Sequence, residues 1–143
     1  MMQIRFFVTR PELAPTRAHD DDAGFDLRAA QDCQIYSYRP IKVPTGVHVA
    51  IPKGFYGDVR LRSGLASQGV LLASSGVIDS GYRGEILVPM VAVNDAIAIK
   101  AGDRVAQIII TAFPAVRFES VTDLFMLGDT ERGSGGFGSS GSR

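Results

Sequence analysis

The 143 residues carry 15 basic and 15 acidic side chains, a balance that excludes a chain drawn by its overall charge to nucleic acid or an anionic membrane surface. At 45% hydrophobic the chain can bury the core of one domain, and no apolar run approaches the length that crosses a bilayer. One cysteine, Cys33, and two histidines exclude an internal disulfide and argue against a Cys/His metal centre.

In chain order, residues 3–8 are the first short β-branched and aromatic run, and they read as a strand rather than as the apolar core of a secretory leader. The chain is accordingly expected inside the cell, in cytoplasm or nucleus, and not secreted, with Cys33 as a small buried apolar residue. Similar runs follow at 34–38, 41–43, 46–51, 57–61, 85–93, 97–99 and 105–113, punctuated by glycine and proline. Val47, Val49 and Ile51 alternate onto one face. The pattern is that of an all-β sandwich or barrel of short strands, with one short helix expected over 62–68. Pro89, inside the 85–93 run, predicts an edge strand or a bulge. Residues 129–143 are mostly glycine and serine and read as a flexible arm beyond a domain at 1–128.

Five stretches carry residues suited to chemistry. In Ala23-Gly24-Phe25-Asp26-Leu27 the acid stands between two apolar neighbours that point to the opposite strand face. It fits a strand-edge acid, or a carboxylate meeting the waters of a Mg²⁺ held through phosphates. Asp20, Asp21 and Asp22 before it read as solvated loop. Arg62-Ser63-Gly64 opens the expected helix, where backbone N–H groups, a hydroxyl and a bidentate guanidinium suit phosphate. A helix N-cap serine beside a surface arginine fits the same residues. In Gly76-Val77-Ile78-Asp79-Ser80-Gly81-Tyr82-Arg83-Gly84, a carboxylate follows an apolar pair, an aromatic ring follows the carboxylate, and three glycines free the backbone for positive φ or close approach. That suits a small planar ligand, and equally an ordinary hairpin with a solvent-facing acid. Gln107, in Gly102-Asp103-Arg104-Val105-Ala106-Gln107, is a polar intrusion in an apolar strand, and its amide must bond in the core or to a polyphosphate. In the arm, Arg132 and Phe137 stand out among glycine and serine, as in a phosphate clamp, while a plain linker also accounts for the composition. No Ser/His/Asp triad, Walker-type loop or GxGxxG fingerprint is present.

Taken in order, AGFDL from Ala23, RSGLA from Arg62, GVIDSGYRGE from Gly76, GDRVAQ from Gly102 and RGSGGFGSSG from Arg132 resemble the five motifs of the trimeric dUTPase family. The resemblance implies a distorted jelly roll that forms a homotrimer with active sites at subunit interfaces. It implies hydrolysis of dUTP to dUMP and pyrophosphate with Mg²⁺, which keeps uracil out of DNA and supplies dUMP for thymidylate synthesis, and no direct nucleic-acid or membrane partner.

By the same resemblance, Asp79 is the general base that deprotonates a water attacking the α-phosphorus. Tyr82 underlies the deoxyribose and leaves no room for a 2′-hydroxyl. The hairpin over 71–77, with Gly76, Val77 and Ile78, reads the edge of uracil through backbone groups. Arg62, Ser63 and Gly64 hold the α/β-phosphates, Gln107 touches the phosphates from the neighbouring strand, and Asp26 meets Mg²⁺ through water. The arm closes over the nucleotide: Phe137 on uracil, Arg132 on the γ-phosphate, with Gly138, Ser139 and Ser140 beside it. Phe25, Leu61, Ala73 and Gly81 depart from common family residues, and none removes a catalytic group. The dCTP deaminases share this fold but need a glutamate on the strand after Asp79, and residues 86–94 offer no acid.

Overall fold

The structure is a computed structural model that describes residues 1–136. Its strands are β1 (Arg5–Val8), β2 (Gly24–Arg28), β3 (Cys33–Ile35), β4 (Ile41–Pro44), β5 (Val47–Ala50) and β6 (Phe55–Leu61), then, after the helix α1 (Ser63–Ser67), β7 (Val70–Leu72), β8 (Val77–Ile78), β9 (Leu87–Ala92), β10 (Ile97–Ile99) and β11 (Arg104–Ala112). Every pairing between them is antiparallel. One sheet runs β2-β11-β6-β8 and a second runs β4-β9-β7, while β1-β5 and β3-β10 form two-stranded ribbons. This is the all-β sandwich of short strands with one short helix that the sequence predicts.

The strand alternation makes the core. Along β9, Val88, Met90 and Ala92 are fully buried while Leu87 is exposed. Val47 and Val49 of β5 turn inward as their spacing requires. They meet Leu27, Ile35, Val43, Val70, Ile86 and Val105, all fully buried, in one cluster fed by both sheets and both ribbons. Each such aliphatic side chain contributes about 1.5–3 kcal/mol on leaving water. Thr45 is a fully buried polar residue, and it is satisfied: its hydroxyl donates to the Ile86 carbonyl at 2.7 Å and accepts from Val47 N–H at 3.2 Å. Cys33 packs against the cluster half-buried rather than within it, and burial raises its thiol pKa.

Two expectations about the sheets are corrected. Residues 71–77 do not close a hairpin of paired strands. β7 pairs with β9, whereas β8 pairs with β6 in the other sheet, so the chain crosses between sheets here. Pro89 lies in a central strand, because β9 sits between β4 and β7. The ladder tolerates it because its missing N–H falls where β7 has just ended. The Pro89 carbonyl still accepts from Ala73 N–H at 2.9 Å, one residue past that end, and only the reciprocal bond is absent. Beyond Ala112 the chain leaves the sheets, and Phe118, Leu124, Phe125 and Leu127 are exposed on a segment with one 3₁₀ turn at Leu124–Leu127.

Candidate active site

Asp26 is the one buried acid among the described residues, 8% exposed on β2. Cross-strand register sets it opposite Gln107 on β11. Its Oδ1 accepts from Arg62, the residue before α1, and its Oδ2 lies 3.4 Å from Arg104 Nη1. Strict alternation would put residues 104 and 107 on opposite faces. β11 instead carries a bulge between Arg104 and Ala106, where one extra residue opposes β2. Val105 and Ala106 are therefore both buried, and Arg104 and Gln107 both reach the face of Asp26.

Asp26, Arg62, Ser63 and Gln107 line one cleft of about 380 Å³. Gln107 lies flat across Gly24: a Cβ there would stand 2.2 Å from Gln107 Oε1. Among the described residues the Gln107 amide bonds to no other side chain, so it faces the cleft rather than a core partner. Ser63 is the first residue of α1 and not its cap. Arg62 holds the N-cap position with an extended backbone, and no side chain caps the helix. The capping account of Ser63 does not hold, and its hydroxyl remains available to the cleft. Asp20, Asp21 and Asp22 are all exposed, the solvated loop that the sequence predicts, and of the three Asp22 also lines the cleft.

Asp79, Tyr82, Val77 and Ile78 line a second cleft of about 250 Å³, with Lys42, Glu85, Leu87 and Pro89. Gly76 is fixed by the crossing between sheets. Its φ is +70°, its carbonyl accepts from Val59 N–H at 2.8 Å, and a Cβ would stand 2.3 Å from Val59 O. Of the two uses the sequence allows these glycines, positive φ or close approach, Gly81 and Gly84 do not take the first. Gly81 faces open space, so its side chain is unconstrained, whereas a Cβ on Gly84 would meet the Tyr82 hydroxyl at 2.4 Å. That hydroxyl donates to the Glu85 carbonyl at 2.8 Å, and Tyr82 N–H donates to the Asp79 carbonyl at 3.0 Å. The turn thus folds the aromatic ring back beside the exposed Asp79. Arg132 is exposed, with Nε donating to the Gly135 carbonyl at 2.9 Å. Phe137, Gly138, Ser139 and Ser140 lie outside the described residues.

A family model for dUTPase matches residues 11–141. The chain belongs to the dUTPase family. It is 47% identical over 133 residues to a deoxyuridine 5'-triphosphate nucleotidohydrolase of Mycolicibacterium vanbaalenii, covering 89% of this chain and 86% of that protein. It is 43% identical over 146 residues to the same-named protein of Solibacter usitatus, covering 98% and 97%. Among solved structures it shares the fold of a Staphylococcus bacteriophage 80alpha dUTPase mutant with dUpNHpp, at TM-score 0.88 and 23% identity over 99% of both chains. It also shares the fold of a dUTPase from phage phi11 of S. aureus, at TM-score 0.78 and 21% identity over 87% of this chain and 99% of that one; a structural Mg(II) ion is described there.

In this dUTPase the described motif residues do not all line one cleft of a single chain. Asp26, Arg62, Ser63 and Gln107 share one cleft, Asp79 and Tyr82 another. Three contributors escaped the sequence reading. Arg104 was visible as part of Gly102-Asp103-Arg104-Val105-Ala106-Gln107, but only the bulge aims it at Asp26. Asp22 had its acidic run as a signal. Lys42 carries no local signal, since strand pairing alone brings it to the cleft of Asp79. Among the described residues no group of three or more His, Cys, Asp or Glu is placed to hold a metal directly, and no helix is long and apolar enough to cross a membrane.

Proposed function

We propose that this dUTPase hydrolyses dUTP at a site assembled from both clefts, contributed by different copies of the chain in a homotrimer. The observation that carries this reading is the separation of Asp79 and Tyr82 from Arg62, Ser63 and Gln107 in one chain. Asp79 takes a proton from water, whose oxygen bonds to the α-phosphorus as the bond from that phosphorus to the bridging oxygen breaks. The products are dUMP and pyrophosphate. Exposure of Asp79 at the rim of a cleft suits a base that must meet water.

Arg62, Ser63 and Gly64 hold the phosphates, with the guanidinium already oriented by Asp26. Gln107 adds its unengaged amide. The Tyr82 ring, pinned by its hydroxyl and by the space over Gly84, packs under deoxyribose and rejects a 2′-hydroxyl. Gly76, Val77 and Ile78 present backbone groups to uracil from the crossing between sheets. Arg132, Phe137, Gly138, Ser139 and Ser140, on the arm that begins at residue 129, close over the nucleotide.

The residues fit Mg²⁺ only through water. Asp26 is a lone buried carboxylate whose two oxygens are engaged by guanidiniums, and a carboxylate so bonded retains lone pairs for the waters of an ion bound chiefly by substrate phosphates. When bound, such an ion supplies charge neutralisation at the phosphates. The chain's own residues supply binding, orientation and the base.

The reading is tested by pyrophosphate release with Mg²⁺ from dUTP, beside dTTP, dCTP and UTP. Release from dUTP alone is the expected result. Release from UTP at a comparable rate would remove the role given to Tyr82, and dUTP binding without release would remove that given to Asp79.

A further inference from the structure

We propose that Lys42 is a positioning residue for Asp79, holding its carboxylate in the cleft by an ion pair that forms as nucleotide fills it; this rests on Asp79 being the base. Lys42 stands on β4 opposite Pro89 of β9. Because the Pro89 carbonyl points the other way, to Ala73, the Lys42–Pro89 pair is a non-hydrogen-bonded one, in which side chains lie close. The lysine stem has the apolar surfaces of Pro89 and Leu87 to lie on, and its ammonium is the single cation lining the cleft of Asp79.

The other charges around Asp79 are committed elsewhere. Glu85, in the same cleft, accepts Gly46 N–H on Oε1 at 2.7 Å. Arg83 spends Nη1 on the Ser80 and Tyr82 carbonyls, both at 2.7 Å. His48 of β5 puts Nδ1 2.9 Å from the Arg83 carbonyl. On β6, Asp58 sits opposite Val77 and is paired with Arg60 at 2.7 Å. Lys42 and Asp79 make no ion pair among the described residues. Lys42 is thus the one cation of a cleft that holds two carboxylates, Asp79 and Glu85, and of these Glu85 is tied through Oε1 to Gly46 N–H. With the cleft open, water screens Lys42 and Asp79 from each other. A bound nucleotide expels that water and strengthens their attraction. A base held in one orientation is worth most at the moment of proton transfer, so the benefit falls on kcat.

The test compares Lys42→Met, Lys42→Arg and Asp79→Asn with the wild-type full chain, measuring dUTP turnover with Mg²⁺, affinity for an α,β-imido analogue of dUTP, and melting temperature. Lys42→Met is expected to lower kcat about tenfold with KM and analogue affinity within about twofold. Lys42→Arg should recover most of the loss, which a packing role would not restore. Loss of analogue affinity in step with kcat/KM would make Lys42 a nucleotide-binding group and overturn the proposal. Unchanged kcat in Lys42→Met, with Asp79→Asn inactive, would overturn the proposal and leave the base standing. Wild-type turnover in Asp79→Asn would overturn the base itself.

Discussion

Arg104 reaches Asp26, with Nη1 3.4 Å from Oδ2, because β11 carries one residue more than β2 between Arg104 and Ala106. The extra residue changes the parity of the strand at the one point where two polar side chains three positions apart must face the same way. Asp26 is then gripped by Arg104 on one oxygen and Arg62 on the other. Arg104→Ala is expected to cost about 0.5–1 kcal/mol by urea unfolding, a modest sum because the guanidinium is half-exposed and screened. The KM for dUTP should rise severalfold, since the carboxylate that orients Arg62 loses its second anchor. Unchanged unfolding and KM would show that the pair does neither job.

Gly76→Ala tests the crossing between sheets. The substitution places a Cβ 2.3 Å from Val59 O at φ +70°, which costs about 2 kcal/mol or more in strain and displaced backbone. The shift falls on the strand that carries Val77 and Ile78 to Asp79, so turnover of dUTP should drop further than stability alone explains. Wild-type melting and wild-type kcat in the same variant would refute the account.

Tyr82 separates two roles of one side chain. Tyr82→Phe removes the bond to the Glu85 carbonyl, worth about 0.5–1.5 kcal/mol, and keeps the ring, so UTP should stay excluded. Tyr82→Ala removes the ring and should raise UTP hydrolysis relative to dUTP by about tenfold or more. The ratio of the two rates, measured for both variants, decides whether the ring is the sugar gate.

Asp32 gives the fold an acid-sensitive contact away from either cleft. Its carboxyl is held below the ordinary value of 3.8 first by the Ala101 N–H bond, then by the bond and charge of Lys100. A carboxylate depressed in the folded state stabilises above its unfolded pKa, and that contribution fades as pH falls through the folded one. Asp32→Asn should therefore lower stability slightly at neutral pH and flatten the fall in melting temperature below about pH 4. An acid profile identical to wild type would show that this exposed contact contributes nothing.

Sequence alone went far on elements whose signal is local. The alternation of Val47, Val49 and Ile51, the apolar run that became β11 and the short helix after Leu61 are all where their patterns put them. The five motifs identified the family because each is a contiguous string, readable without knowing what it meets in the fold. The hairpin over 71–77 that the resemblance implies is not a pair of strands, because β7 and β8, though close in sequence, join different sheets. Which sheet each joins depends on β9 and β6, distant in sequence.

Other features were decided by tertiary structure for the same reason. Pro89 belongs in a central strand only because β7 stops one residue short of it. Arg104 faces Asp26 only because the bulge resets the alternation of β11. Lys42 shares a cleft with Asp79 only because β4 pairs with β9 in one register. The sequence by itself determined the class of fold, the family and the kinds of side chain that bear the chemistry, since these follow from local pattern and composition. Which of those side chains meet was left to strand register, where a shift of one residue turns every side chain to the opposite face.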